Sequence, residues 1–134
     1  MAANTTPIFV ATTKHPGVRI STANANRDGT GTLGTLFTAG ANGAFFRGFR
    51  WQAEATTTAG TIRLFIQEAG AGNFEMIYEA AVTAVAASAS VAATSGEWYP
   101  SGGIPISATS IVKVCAEKGT PDIFSCWLEG GGDY

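Results

Sequence analysis

Ionised side chains are scarce in this sequence of 134 residues. Lysine, arginine, aspartate and glutamate together make up 13% of it, whereas a typical soluble domain has about 25%. A small monomer normally covers its large relative surface with such residues, and permanently closed interfaces are depleted in them. The shortage therefore predicts that much of the exterior is buried against copies of the chain or against a partner. The alternative is a monomeric β-domain with a threonine-rich surface.

Features that mark several other functional classes are also missing. The net charge is −2 and the eight cations are spread along the chain, so no basic tract predicts binding to nucleic acid. No apolar run approaches the roughly 20 residues that span a bilayer, and the first residues, MAANTTPIFV, lack the pattern of a signal peptide. We therefore expect no nucleic-acid or membrane partner, and synthesis as a soluble chain in the cytoplasm.

Groups suited to catalysis are few. His15 is the only histidine, and no serine or cysteine stands in a nucleophile motif. Carboxylates could pair across strands as in a glycosidase, but exposed carboxylates on strands mostly serve solubility. The run GTGTLG, residues 29–34, matches a dinucleotide-binding glycine pattern but leads into an extended segment instead of a helix. We predict no enzymatic activity, no catalytic residue and no cofactor.

Three side chains have the spacing of the first calcium ligands in an EF-hand loop: Asn24, Asn26 and Asp28. The twelfth position of such a loop should be a bidentate glutamate but is Thr35, and only one of the three ligands is charged. The pattern favours a turn in which these side chains bond their own backbone. We therefore predict no metal site.

The two cysteines, Cys115 and Cys126, could in principle form a disulfide. If residues 110–117 pair with residues 123–129 as a hairpin, the alternating apolar rows place the two cysteines on opposite faces of the sheet. Bridged cysteines need Cβ atoms about 4 Å apart. We predict two free thiols.

Turn-forming clusters recur every eight to fifteen residues, among them KHPG, NRDGTG and TAGANG. The segments between them are short and rich in β-branched and aromatic residues, which is typical of an all-β sandwich or barrel. The predicted strands lie near 7–13, 17–22, 32–38, 44–54, 60–68, 74–83, 88–95, 104–107, 110–117 and 123–129. We predict a single-domain antiparallel β-sandwich over 17–130, an N-terminal arm and first strand over 1–16, and a C-terminal tail over 131–134.

The segment EMIYEAAVTAVAASA, residues 75–89, is open to two interpretations. Alanine and glutamate are good helix formers, so a helix is possible. Met76, Tyr78 and Val82 alternate as in a strand, and the recurring valine, threonine and serine would weaken a helix. A strand is the favoured interpretation.

The large apolar residues of ANGAFFRGFRW, residues 41–51, do not alternate regularly. Phe46 and Phe49 are three apart and would lie on opposite faces of a regular strand, while Phe49 and Trp51 keep a spacing of two. One extra residue inserted in the strand would turn all three inward. We therefore predict a β-bulge at Arg47–Gly48.

Four side chains are candidates for an interface: Arg47, Arg50, Trp98 and Tyr99. The two arginines are interpreted as solvated or interface residues, with an anion site as the alternative. The two aromatic residues lie between glycine and proline in SGEWYPSGG. They could pack at the end of the sandwich, anchor a protein partner or stack on a sugar.

The stretch ANANRDGTGTLGTLFTAGANG, followed by TTTAGTIRLFIQEA and EAAVTAVAASASVA, resembles a group of small structural proteins from tailed bacteriophages. The resemblance covers roughly residues 17–95 and depends on the texture of turns and strands. It implies a jelly-roll-like β-sandwich that decorates or cements a capsid, commonly as a trimer.

Composition and resemblance together lead to one expectation of function. We expect a non-enzymatic virion protein, made in the host cytoplasm, that binds the major capsid protein on the outer surface of the head as a homo-oligomer, most simply a homotrimer. A carbohydrate- or receptor-binding module of a fibre or tail tip, using Trp98 and Tyr99, is the first alternative. A structural subunit of the tail or neck is the second.

Overall fold

The protein is an all-β sandwich. The computed structural model describes residues 10–70 and 72–134, and this part of the chain contains twelve strands and no helix, hence none that could span a membrane. The strands are β1 (Thr12–Lys14), β2 (Gly17–Ile20), β3 (Gly34–Thr38), β4 (Ala44–Phe46), β5 (Gly48–Ala53), β6 (Gly60–Gln67), β7 (Glu75–Val82), β8 (Ser95–Trp98), β9 (Ile104–Ile106), β10 (Ile111–Ala116), β11 (Phe124–Glu129) and β12 (Gly131–Asp133). Every pairing between these strands is antiparallel.

The strands form three four-stranded sheets, two of which are halves of one bent sheet. The orders are β1-β12-β4-β9, β2-β11-β5-β8 and β3-β10-β6-β7. Residues 44–53 run through both of the first two sheets and pair with residues 124–133. The register is the same throughout, from Ala44 opposite Asp133 to Ala53 opposite Phe124. We call these two sheets together the bent sheet, and the third the β6 sheet.

The predicted β-bulge at Arg47–Gly48 is wrong. Residues 44–53 and 124–133 keep the same pairing register on both sides of Arg47, so neither segment has an extra residue relative to the other. The backbone instead bends at Arg47 and also at Gly130 on the partner strand, where φ is 74°. Even-numbered residues point toward the core before this bend and odd-numbered residues after it. Phe46 and Phe49 are both fully buried as a result.

The core lies between the bent sheet and the β6 sheet. Phe37 of β3 meets Phe46 of β4 edge to face, with ring centroids 5.0 Å apart. Tyr78 of β7 meets Phe49 of β5 at 5.9 Å. The β6 sheet therefore packs on both halves of the bent sheet, and each fully buried phenylalanine contributes about 2 to 3 kcal/mol through burial of apolar surface.

Most of the predicted strands are confirmed, and Glu75–Val82 is a strand and not the alternative helix. The strand predicted at 88–95 is wrong, because residues 83–94 form bends and irregular structure with one isolated bridge at Val85. Thr57 holds this segment in place through three hydrogen bonds. Its backbone N donates to the oxygen of Val85 at 3.0 Å and its Oγ1 donates to the oxygen of Thr83, while the backbone N of Val85 donates to Thr57 Oγ1. These contacts replace a sheet ladder, and β8 begins only at Ser95.

Both ends of the sequence prediction need adjustment. Residues 7–9 of the first predicted strand, 7–13, lie outside the described residues, and β1 begins at Thr12. The predicted tail at 131–134 contains β12, which pairs with β1 on one side and β4 on the other. The C-terminal residues are therefore an inner strand of the bent sheet.

The two cysteines are free, as predicted, and both are buried. The hairpin on which that prediction depended does not exist, since β10 and β11 belong to different sheets. Cys126 faces the core, whereas Cys115 lies outside the core cluster, on the far side of the β6 sheet. Burial raises the pKa of both thiols, so neither is a reactive thiolate at neutral pH.

The predicted turn at residues 24–30 is also confirmed. The Asn24 side-chain amide donates to the backbone oxygens of Thr30 and Thr32, each at 2.9 Å. The Asp28 carboxylate accepts from the backbone N of Thr30 at 3.0 Å. Within the described ranges, no three histidine, cysteine or acidic side chains are grouped so that they could hold a metal ion.

The carboxylate of Asp133 ties three segments together. It accepts from Lys14 Nζ at 2.6 Å and from the backbone N of Gly40 at 3.1 Å. The hydrogen bond from Lys14, followed by that from Gly40, holds the pKa of Asp133 below its usual value. Ionised Asp133 therefore stabilises the fold.

We predict a loss of stability in acid that depends on Asp133. A lowered pKa in the folded state means that the stabilisation is complete above the unfolded pKa and is lost as the pH falls through the folded value. The urea midpoint should be steady from about pH 7 to pH 5 and fall below about pH 4. Asp133→Asn should have a lower midpoint at neutral pH and a shallower fall in acid. Parallel pH profiles for the two proteins would contradict the assignment.

Candidate docking surface

The outer side of the β4 half of the bent sheet carries an uncharged row of side chains. The row consists of cross-strand neighbours on β1, β12, β4 and β9: Thr13, Gly132, Phe45 and Pro105. Ala44 and Phe46 are fully buried, so Phe45 between them points outward and is only half-buried. A large apolar side chain thus lies on the solvent side of this sheet.

A depression lies beside this row, where the loop from β8 to β9 folds back. Its lining consists of Phe45, Arg47, Tyr99, Pro100, Gly102 and Gly103. The φ angles of Gly102 and Gly103 are 84° and 75°, a conformation that favours glycine. A Cβ atom on Gly103 would lie 2.3 Å from the Phe45 ring. Glycine therefore permits both the turn and its close approach to Phe45. We call these six residues the Tyr99 depression.

Tyr99 is the most prominent side chain of this depression. It and Val91 are the exposed large hydrophobic residues of the described chain, with 44% and 49% of their surface accessible. The Tyr99 ring lies directly on Gly48, where a Cβ atom would be 2.2 Å from Tyr99 Cδ1. One face of the ring rests on the sheet, and the rest of the side chain is in solvent. Rigid aromatic residues of this kind are typical of binding hot spots.

Arg47 supplies the charge of the depression. Its backbone is fixed at the bend by a hydrogen bond from its N to the oxygen of Glu129 at 3.0 Å. Across residues 10–70 and 72–134, it is the one lysine or arginine that forms neither an ion pair nor a cation–π contact. Its guanidinium can therefore bind a carboxylate of another molecule through paired hydrogen bonds.

The other two candidate interface residues lie elsewhere. Trp98 points inward and stacks on Tyr78, with centroids 5.0 Å apart and an interplanar angle of 13°. It lies at the edge of the sandwich between β7 and β8, where Tyr78 covers one face of its ring. Arg50 lies on the outer side of β5, 5.5 Å from the Trp127 ring centroid and 3.6 Å from Glu97. An anion site formed jointly by Arg47 and Arg50 has no support in this arrangement.

Sequence reasoning brought Arg47 and Tyr99 forward but missed Phe45. The signal for Phe45 was present, since AFF places a large apolar residue between two inward positions of one strand. An apolar residue at an outward position is informative when it joins a larger exposed apolar surface. The Tyr99 depression therefore combines two aromatic rings with one unpaired cation, a composition typical of protein contacts.

Comparison with known proteins gives no family for this chain: no protein-family model and no curated protein sequence matches it. The fold and the surface just described are the basis for a functional assignment.

Proposed function

We propose that the protein is a non-enzymatic structural component of a phage virion, a homo-oligomer that decorates or cements the outer surface of the head. The observation that carries this proposal is the uncharged row with its adjoining Tyr99 depression, in a chain with only 13% charged residues. Protein contacts are depleted in charge at their centre and enriched in tyrosine and arginine. The surface has that composition.

We also infer that the sandwich is a jelly roll. Each of the pairs β1 and β2, β4 and β5, β8 and β9, and β11 and β12 crosses from one half of the bent sheet to the other. If each of these pairs is counted as one strand, the pairs and the four strands of the β6 sheet make eight strands, numbered 1 to 8 along the chain. Their order is 1-8-3-6 in the bent sheet and 2-7-4-5 in the β6 sheet. That order is the order of a jelly roll, an architecture found in viral capsid and lectin domains. The fold supports a virion role by analogy only.

The proposed partners are further copies of the chain and the major capsid protein. A trimer around a threefold axis brings one surface of each copy against a different surface of the next. We expect the partner surface to present a carboxylate to the Arg47 guanidinium and an apolar pocket to the Tyr99 ring. A stable contact of this kind would bury about 1,000 Å² or more.

Sedimentation velocity and co-sedimentation with phage heads test the proposal. We expect the purified chain to sediment as a trimer and to bind the heads of the phage that encodes it. Tyr99→Ser should weaken one of these two contacts about 30-fold, the loss of a hot-spot residue. Arg47→Glu should weaken the same contact.

Val91→Ser is the matched control, because it removes the other exposed large hydrophobic side chain. We expect it to leave both contacts intact. A wild-type chain that stays monomeric and does not bind heads would overturn the proposed function. If Val91→Ser is as damaging as Tyr99→Ser, the contact surface is not the Tyr99 depression.

A further inference from the structure

A second concave surface lies on the outer side of the bent sheet, in its β11 half. Its lining includes His15, Gly17, Val18, Arg19, Ser125 and Trp127. Trp127 stands in the middle strand of this surface, with Gly17 opposite it on β2 and Arg50 opposite it on β5. We call this surface the Trp127 platform.

Trp127 lines this concave surface from β11, and its cross-strand neighbours differ on the two sides. Arg50 flanks the indole from the β5 side, with its guanidinium carbon 5.5 Å from the ring centroid. On the β2 side the neighbour is Gly17, which has no side chain. A Cβ atom there would lie 3.3 Å from the backbone oxygen of Cys126 and 3.5 Å from Trp127 Cβ. The cross-strand position on the β2 side of Trp127 therefore carries no side chain, and both residues line the concave surface.

The Trp127 ring is also fixed in orientation. Its Nε1 donates to Glu129 Oε2 at 3.0 Å. The His15 ring is roughly perpendicular to it, with centroids 6.1 Å apart and an interplanar angle of 79°. A ligand that contacts Trp127 would not have to order this side chain, which lowers the entropic cost of binding.

Fixed hydrogen-bonding groups lie at the end of the platform. Arg19 Nε donates to Glu54 Oε2 at 2.7 Å, and Ser125 Oγ donates to Glu54 Oε1 at 3.0 Å. These contacts, first that of Arg19, hold the pKa of Glu54 below its usual value, so the carboxylate is an acceptor at neutral pH. Arg19 uses only Nε here and its side chain is mostly exposed, which leaves its terminal nitrogens as donors.

We propose that the Trp127 platform binds a carbohydrate, with one neutral hexopyranose ring stacked on Trp127 over Gly17. A pyranose has an apolar C–H face, which suits an indole, and equatorial hydroxyls at its rim, which suit Arg19 and Glu54. A small polar ligand needs this combination of one aromatic face and a few fixed polar groups. The site goes beyond the proposed structural role and does not depend on it.

A protein partner is the competing occupant and fits less well. Five charged side chains lie on or around this platform, all in ion pairs or hydrogen bonds with one another or with Trp127: Arg19, Arg50, Glu54, Glu97 and Glu129. The centre of a permanent protein contact is depleted in charge. The Trp127 platform therefore has the composition of a solvated face, in contrast to the Tyr99 depression.

The test follows the indole N–H signals of the three tryptophans by two-dimensional NMR during titration with methyl β-glucopyranoside, methyl β-galactopyranoside and N-acetylglucosamine. We expect at least one of these sugars to give a saturable shift of the Trp127 signal with a Kd of about 1 mM or weaker. Trp127→Phe identifies that signal. Binding to an array of bacterial polysaccharides then shows whether the ligand is a sugar within a polymer or a free sugar.

Gly17→Val is the decisive variant, because it keeps Trp127 and places a side chain beside it on the concave surface. The φ of Gly17 is not in the left-handed region and valine favours strands, whereas its Cβ atom would lie 3.3 Å from the backbone oxygen of Cys126, so the variant should fold with some loss of stability. We expect sugar binding at least about tenfold weaker, the equivalent of one lost contact. Tyr99→Ser, the matched control on the other surface, should bind sugar as the wild type does.

The outcomes are separable from those of the proposed function. If none of the three sugars nor any polysaccharide gives a saturable signal, or if Gly17→Val binds as well as the wild type, the carbohydrate site is wrong. If Gly17→Val instead dissociates the oligomer or releases it from heads, the Trp127 platform is a protein contact and the proposal is also overturned. A monomeric chain that still binds sugar would contradict only the structural role.

Discussion

Gly131→Ala is expected to lower the free energy of unfolding by about 3 kcal/mol or more, toward the upper end of the range for overpacking substitutions. A Cβ atom on Gly131 would lie 1.7 Å from the backbone oxygen of Phe45 and 2.7 Å from its carbonyl carbon. Backbone atoms of a paired strand cannot move aside as a flexible side chain can. Relief of the clash would therefore separate β12 from β4.

Urea unfolding with hydrogen exchange as a second readout measures this effect. Gly72→Ala is the matched control, because nothing lies within 4 Å of a Cβ atom there, and it should change stability by no more than about 0.5 kcal/mol. In Gly131→Ala, the amides of β12 and β4 should lose protection first. Equal midpoints for the two variants would show that the close approach of Gly131 to Phe45 is not a constraint on the fold.

The same substitution also has a functional consequence. Phe45 belongs both to the strand pair that Gly131 disturbs and to the Tyr99 depression. A β4 strand that shifts away from β12 would change the position of the Phe45 ring beside Tyr99. We therefore expect Gly131→Ala to weaken the contact that Tyr99→Ser weakens, without any change in the chemistry of the depression.

The alternation of apolar residues was sufficient to predict most of the strands but not the bend of the sheet. A β-bulge and a bend shift the inward direction by the same one residue, so Phe46 and Phe49 give the same pattern in both cases. The distinction lies on the partner strand, where Gly130 bends opposite Arg47. That pairing joins residues about eighty positions apart, and no local pattern contains it.

The candidate sites were only partly predictable for the same reason. Trp98 and Tyr99 are adjacent in one glycine-rich segment, and local sequence treats them alike. Their different positions follow from the pairing of Trp98 with the inward Phe49, which turns the next residue outward. Trp127 has Gly17 as its neighbour on β2, a residue about a hundred positions away, so no local pattern indicates the surroundings of its ring.

Arg27, Arg63 and Glu79 form an ion cluster on the outer side of the β6 sheet, and its loss is expected to have the second large effect on stability. Glu79 accepts from Arg63 Nε at 2.8 Å and from Arg27 Nη2 at 3.0 Å. The Arg63 side chain is only 5% exposed, whereas that of Arg27 is 59% exposed. Hydrogen bonds from Arg27 and then Arg63 hold the pKa of Glu79 below its usual value. Glu79 therefore neutralises a guanidinium that water hardly reaches.

Glu79→Gln is expected to lower the free energy of unfolding by about 3 kcal/mol, because it leaves the buried charge of Arg63 without a counterion. Glu54→Gln is the matched control: it breaks a pair in which Arg19 is 64% exposed, and exposed pairs contribute little. Replacing both members of the buried pair, as Arg63→Met with Glu79→Gln, should restore part of the loss, since the cost comes from the unpaired charge and not from the missing contact. Urea midpoints of the four proteins at pH 7 decide the matter. If the double variant is less stable than Glu79→Gln alone, Arg63 stabilises the β6 sheet by packing, and its charge is not the cause of the cost.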